Sequence, residues 1–227
     1  MPEHTDREYE ADLRQLRQAF LRMGGLAEQL MSDALQATFN RDEKLALTIP
    51  ERDKQVNRSE VEVDELSRRI LALRQPTASD LRFVTFVMKA VTDLERIGDL
   101  AVNVADRALA LAREPPLPYP QELSRMSELA QDMLHRALDC FVNEDTTAAD
   151  EIMHSDDRVD DLYWTLFRRV LALMQQDPTA VERATSQLFV AKHVERLADH
   201  ATNLAEMVIF MVRGEDVRHP HSRVARA

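Results

Sequence analysis

The sequence predicts an all-α protein built as two tandem, pseudo-symmetric three-helix bundles of six long helices. Three observations carry that reading. The 227 residues hold only four glycines and 5% aromatics, while strong helix formers dominate. A helical word is written twice, 100 positions apart: Asp93-Leu94-Glu95-Arg96-Ile97-Gly98-Asp99 is answered by His193-Val194-Glu195-Arg196-Leu197-Ala198-Asp199. Between the copies stands Glu114-Pro115-Pro116-Leu117-Pro118-Tyr119-Pro120, which holds four of the nine prolines and cannot continue a helix.

The first helix is expected from about Arg7 to Thr38. The second covers about Asp42 to Arg74, with Pro50 as a kink or short break. Gln75-Pro76 ends it, because a residue before proline avoids the α region. Thr77-Ala78-Ser79-Asp80 resembles a capping box and opens a third helix to about Ala112. The second half repeats the plan, with helices over about Gln121–Val142 and Thr146–Gln176. Asp177-Pro178 then supplies a cap for a last helix ending at Arg213, which Gly214 can close. The bundles are thus assigned to residues 7–113 and 119–213, and 214–227 to a flexible tail without apolar period.

Duplication extends beyond the opening word. Met23, Leu26, Ala34, Asn40 and Asp42 recur 103 positions on as Met126, Leu129, Ala137, Asn143 and Asp145. Asp53-Lys54-Gln55-Val56-Asn57 likewise answers to Asp156-Asp157-Arg158-Val159-Asp160. Gly24-Gly25 has no counterpart, and two small residues there suit a close helix approach or a bend. Trp164 and Phe167 read most simply as core.

Composition narrows the function. A formal net charge of −11 argues against nucleic-acid binding and favours cations or a basic partner surface. Cys140 is the only cysteine, so no internal disulfide forms; its neighbours make it a buried apolar residue and the compartment a reducing one. The polar N-terminal residues have no apolar stretch and are not expected to act as a signal peptide. The best apolar run, Met207–Val212, is far short of a membrane span, so any membrane contact goes through a partner. No phosphate loop, nucleophile elbow or zinc-protease helix is present, which points away from an enzyme.

The acids carry the remaining information. On a helix, positions four apart share a face. Glu95 and Asp99 have that spacing, as do Glu195 and Asp199, Asp53 and Asn57, and Asp156 and Asp160. Glu95 falls at the edge of an apolar face, beside Val91 and Val102, where a carboxylate is partly desolvated and calls for a positive neighbour. Arginine can supply it from Arg96, Arg196, Arg58, Arg68 or Arg69, through salt bridges that fix the bundle's register. A cation bound by carboxylates of neighbouring helices is the sharper reading, and oxygen donors suit Mg²⁺, Mn²⁺ or Fe. Di-iron proteins of the ferritin kind would need Glu-x-x-His pairs, which are not aligned here. His4, His135, His154, His219 and His221 read as solvated.

Taken together, Met23-Gly24-Gly25, Asp53-Lys54-Gln55-Val56-Asn57, Arg74-Gln75-Pro76-Thr77-Ala78-Ser79-Asp80-Leu81-Arg82 and the two Glu-Arg-x-x-Asp words resemble the PhoU family over about residues 7–218. The resemblance implies two symmetric three-helix bundles and a homodimer. It implies a cytoplasmic, non-enzymatic negative regulator of phosphate uptake and of the phosphate-starvation response. As an adaptor, it would link a phosphate ABC transporter ATPase to a sensor histidine kinase. It also implies metal at the acidic motifs, here Asp53 and Asn57, Glu95 and Asp99, Asp156 and Asp160, and Glu195 and Asp199, with Mg, Mn, Fe or Zn as candidates. Asn57 replaces a carboxylate and weakens the first site, and Ala198 replaces glycine in the second copy. The competing reading is a carboxylate-bridged metal-binding protein or metal store with no signalling role.

Overall fold

The computed structural model describes residues 2–118 and 120–217. Six long helices follow in order: α1 Pro2–Asn40, α2 Glu43–Arg74, α3 Ala78–Ala112, α4 Pro120–Asn143, α5 Thr146–Gln176 and α6 Val181–Arg213, with a 3-10 turn Pro178–Ala180 before the last. Helices α1, α2 and α3 pack against one another, as do α4, α5 and α6. The bundles meet mainly along α3 and α6, and α1 also touches α4. Arg82 of α3 bonds Met211 of α6, and Asp93 of α3 bonds His200 of α6, so these two helices run antiparallel. The buried apolar residues of both bundles form one continuous core.

Each helix is bounded for a local reason. Asp42 caps α2 by accepting from the Leu45 amide at 3.0 Å, and Asp145 caps α5 at the equivalent place. Asp177 caps the 3-10 turn through the Thr179 amide at 3.0 Å. Gly214, at φ 73°, closes α6 with its amide on Phe210 O. The tail expected from residue 214 lies outside the described residues from 218 onward; Val217, before that point, packs against the core. Prolines at 115 and 116 end α3 at Ala112, and the link turns back against Thr38, Arg41 and Leu123.

Three expectations need correction. Pro50 makes no break in α2, which is one helix across it, so of the two alternatives, kink or short break, the break is excluded. Its ring lies on the exposed side, while Ile49 and Asp53 on either side of it hold the inner face in place. Thr77 forms no side-chain cap on α3, and the Asp80 carboxylate, which would complete the box, is turned to α1, where it accepts from the Tyr9 hydroxyl at 2.8 Å. Burial and Asp80 push the Tyr9 hydroxyl up to about 12. Trp164 is not core: it is 53% exposed, edge-on to Tyr163 and Phe167 on the outside of α5. The buried face of α5 runs Ile152, Val159, Leu166, Val170, and Trp164 lies off that line.

The bundles are keyed together by aromatics. Phe20 of α1 stands edge-on to Phe86 of α3 and to Phe141 of α4, with centroids 5.5 and 4.9 Å away, and Phe86 stacks on Phe141 at 4.9 Å. Gly24 is the close approach: a Cβ there would meet the Leu138 side chain of α4 at 2.8 Å, whereas one at Gly25 would meet open space. Cys140 is buried beside this cluster, and burial raises its thiol to about 11, so it has no nucleophilic character at neutral pH.

Candidate functional site: two carboxylate crevices

Helix α2 presents Asp53 to α3 across a short gap, and α5 presents Asp156 to α6 at the equivalent place. In each case the carboxylate pairs expected from the sequence face a neighbouring helix. Asp53 feels the charge of Asp99, and Glu95 feels Asp99, Glu60 and Asp53. Asp156 feels Asp199, Asp160 and Glu195, and Asp160 feels Glu195. The fold therefore gathers acids of two helices into one crevice per bundle.

Their environments differ between the copies. Asp53 is 7% exposed, its Oδ2 accepting from the Asn57 amide at 3.0 Å. Its Oδ1 is buried without a hydrogen-bond partner and lies where a Cβ on residue 98 would come within 2.6 Å. A side chain on residue 98 would therefore have to displace the packed carboxylate. In the second copy Ala198 fills that space, and Asp156 is half-buried rather than buried. An open depression of about 450 Å³ lies beside it, lined by Asp156, Arg196, Asp199, His200, Thr202 and Asn203.

Burial and mutual repulsion raise the carboxylates. Asp156 is pushed up to about 6, first by desolvation and then by Asp199 and Asp160. Asp53, Glu60, Glu95 and Asp160 are also raised, desolvation being the largest cause in each. The arginines do not relieve this in the manner considered from sequence. Arg96 reaches Glu95 at 3.5 Å and Asp99 at 3.2 Å, but on their own helix and half in solvent. Arg68 reaches Asp64 at 3.9 Å, also on its own helix. Glu195 is met by Lys192 at 2.5 Å rather than by Arg196, whose charge acts on Asp199 from farther away.

Glu60 is the residue that pairwise reading passed over. It faces Arg96 and Asp99 of α3 and supplies the acid that Asn57 lacks, one turn farther along α2. The signal was its place in the same stripe as Asp53, Asn57 and Asp64. At its counterpart the second copy carries Tyr163, covered by the Lys192 ammonium 5.5 Å from the ring centroid. Each crevice thus offers four acids, Asp53, Glu60, Glu95 and Asp99 in one, and Asp156, Asp160, Glu195 and Asp199 in the other. Among the described residues, no three of these side chains already converge as a ready ligand set. The donors are all hard oxygens, the kind that suits a hard cation, and Asp53 Oδ1 is buried without a hydrogen-bond partner.

Asp93, two residues before Glu95, ties the bundles together. His200 Nδ1 lies 2.7 Å from Asp93 Oδ1, and the Asn203 amide donates to the same oxygen at 3.1 Å. His193, its counterpart in the duplication, is half-buried and its pKa is lowered, first by desolvation and then by Arg196 and Arg107.

The chain matches the PhoU domain model twice, over residues 20–108 and 123–208. It is 41% identical over 217 residues to the phosphate-specific transport system accessory protein PhoU homolog of Pseudomonas aeruginosa, covering 95% of this chain and 90% of that protein. Identity is 37% over 216 residues to the phosphate-specific transport system accessory protein PhoU of Escherichia coli, with 95% and 90% covered. The crystal structure of PhoU from Pseudomonas aeruginosa superposes with a TM-score of 0.88 at 40% identity, over 91% of this chain and all of that one. That of the phosphate transport system regulatory protein PhoU from Streptococcus pneumoniae gives 0.86 at 31% identity, over 92% and 99%. With both domains matched and two bundles of the same design, the chain belongs to the PhoU family.

Proposed function

We propose that this chain is a non-enzymatic, cytoplasmic accessory protein of a phosphate-specific transport system, and that it restrains phosphate uptake and the starvation response when phosphate is plentiful. In this role it joins a phosphate ABC transporter ATPase to a sensor histidine kinase as a homodimeric adaptor. The support is family membership, with relatives named as accessory proteins of phosphate-specific transport. No helix among the described residues is long and apolar enough to cross a membrane, which suits contact through partners. Exposed apolar residues stand at equivalent places on the outer helices, Val61 of α2 and Trp164 of α5, each 53% exposed, where partner proteins can dock.

The single observation that carries the cation part is the pair of equivalent crevices whose carboxylates repel one another. A Mg, Mn, Fe or Zn ion held by Asp53, Glu95 and Asp99, and by Asp156, Asp160, Glu195 and Asp199, would remove that repulsion. Asn57 then serves as the donor that orients Asp53.

The test of the adaptor role is a deletion strain grown in ample phosphate. Starvation genes should be on, and the tagged protein should co-purify with the transporter ATPase and the kinase; silent genes would reject the role. The paired acidic crevices also admit a second reading, a carboxylate-bridged metal-binding protein or metal store without signalling. The gene readout separates the two, since deletion of a store leaves starvation genes silent, and metal analysis of the same preparation tests the cation that both readings require.

A further inference from the structure

Where the start of α3 meets α1 and the end of α6, the fold leaves a cavity of about 360 Å³. Three arginines line it, Arg14 and Arg17 from α1 and Arg82 from α3. In a chain of net charge −11 this is a local reversal of sign. Arg17 is pinned by Glu144 at 3.3 Å and lies over the Phe83 and Phe141 rings, 5.0 Å from each centroid. Arg82 donates from Nε to Met211 O at 3.0 Å, which uses one of its five N–H groups. Arg14 is exposed, and its ion pair with Glu10 is a loose 3.6 Å. The two acids on the wall are engaged, Asp80 by the Tyr9 hydroxyl and Glu144 by Arg17. Ser79 adds a hydroxyl from the first turn of α3. The remaining wall is apolar, with Leu13, Phe83 and Met211.

We propose that this cavity binds a small organic phosphate of the nucleotide class, its phosphate held by Arg14, Arg17 and Arg82 and its uncharged body resting on Leu13, Phe83 and Met211. Guanidinium forks match pairs of phosphate oxygens. The volume exceeds what a bare oxyanion needs and falls in the range of small-molecule sites, about 300–1,000 Å³. The duplication supplies an internal control. In the second copy the positions of Arg14, Arg17 and Arg82 hold Leu117, Pro120 and Glu182. The equivalent end there has a cavity of about 110 Å³, into which the proline link folds. The bundle design therefore does not need the three arginines. Neither the cation nor the adaptor role enters this site.

Titration calorimetry of the full chain with AMP, inorganic phosphate and adenosine tests it. AMP should bind, and both fragments should bind at least about tenfold more weakly. Arg14→Ala and Arg82→Gln should each weaken AMP about tenfold, the loss of one charge-assisted contact. Glu144→Gln, which frees Arg17, should strengthen it. Arg14 lies outside the packed core, so its variant stays informative if Arg82→Gln fails to fold. No heat from any phosphate compound at millimolar concentration overturns the site, as does AMP binding unchanged in Arg14→Ala. Inorganic phosphate binding as tightly as AMP overturns the assigned class in favour of the free ion. An acidic peptide that binds through the arginines while AMP does not would replace the small molecule with a protein partner.

Discussion

Asp53 and Gly98 are mutually dependent: the carboxylate oxygen Oδ1 occupies the place where any side chain on residue 98 would begin. The contact is absent from the second bundle, where Ala198 faces α5 and Asp156 is less deeply buried. The two crevices thus differ by a methyl group at this position, besides Asn57 against Asp160 and Glu60 against Tyr163.

Gly98→Ala tests this contact directly. Alanine in a helix interior gains up to about 1 kcal/mol over glycine. Against that stands overpacking, typically 1–3 kcal/mol, because Asp53 must shift and Val56 Cγ1 waits 3.3 Å from the new carbon. We expect net destabilisation of about 1 kcal/mol in urea unfolding. Ala198→Gly should lose about 1 kcal/mol for helix propensity alone. A stabilised Gly98→Ala variant would mean that Asp53 swings out freely.

Asp156 makes stability depend on pH in a definite direction. Its folded pKa, about 6, lies above the ordinary 3.8, so the folded state holds a proton that the unfolded state has released. Stability contributed by this group is full below about 3.8 and is lost as pH rises through about 6. Asp156→Asn should therefore stabilise the metal-free protein at pH 7. A two-unit shift corresponds to about 3 kcal/mol, which solvent screening at a half-buried site reduces to about 1 kcal/mol. The gain should disappear at pH 4. Equal gains at both values in thermal melts would show that repulsion at Asp156 is not the cause.

The aromatic key between the bundles sets their cooperativity. Phe141 is 1% exposed and touches rings from α1 and α3, both in the other bundle. Phe141→Ala should cost about 3–5 kcal/mol. Because the core is continuous, the wild-type chain should melt in one transition and the variant should separate the two bundles. Calorimetry that finds two transitions in the wild type would contradict a shared core.

Much of this was legible from residues alone, and the failures have physical causes. Helix α5 is bounded where its caps said it would be, because Asp145 and Asp177 act through local bonds. Spacing put each acid pair on one helix face, while the approach of α2 to α3 and of α5 to α6 that makes the acids feel one another is tertiary. Thr77 misled because a capping box assumes that the acid three residues on turns back, and Tyr9, 71 residues away, took it instead. The Arg14–Arg17–Arg82 cavity joins helices far apart in sequence, and no local period reports such a meeting. Trp164 is not core because α5 buries only one side, so an aromatic about 130° off the core line is left outside.

The exposure of Trp164 is open to direct measurement, since it is the only tryptophan. Its fluorescence should be red-shifted and readily quenched by acrylamide in the native protein. A blue-shifted, protected indole would mean that this face is covered, most simply by a second copy of the chain.

The cation prediction turns on the same carboxylates. An ion that binds only the folded protein stabilises it by about 2.7 kcal/mol at one hundred times its Kd. For a chain of 227 residues that is a rise in melting temperature of roughly 5–10 °C. Protons compete for the donors, and Asp156 begins to take one up as pH falls through about 6, so the rise should shrink between pH 7 and pH 5. Glu95→Gln with Asp99→Asn should remove one crevice's share, and Glu195→Gln with Asp199→Asn the other's. Both double variants should be more stable than wild type without metal, because each deletes repulsion from a partly desolvated cluster. Variants that lose stability in the absence of metal would instead show that the acids are held by ion pairs such as Arg96 with Asp99 and Lys192 with Glu195, and the cation would have no work to do.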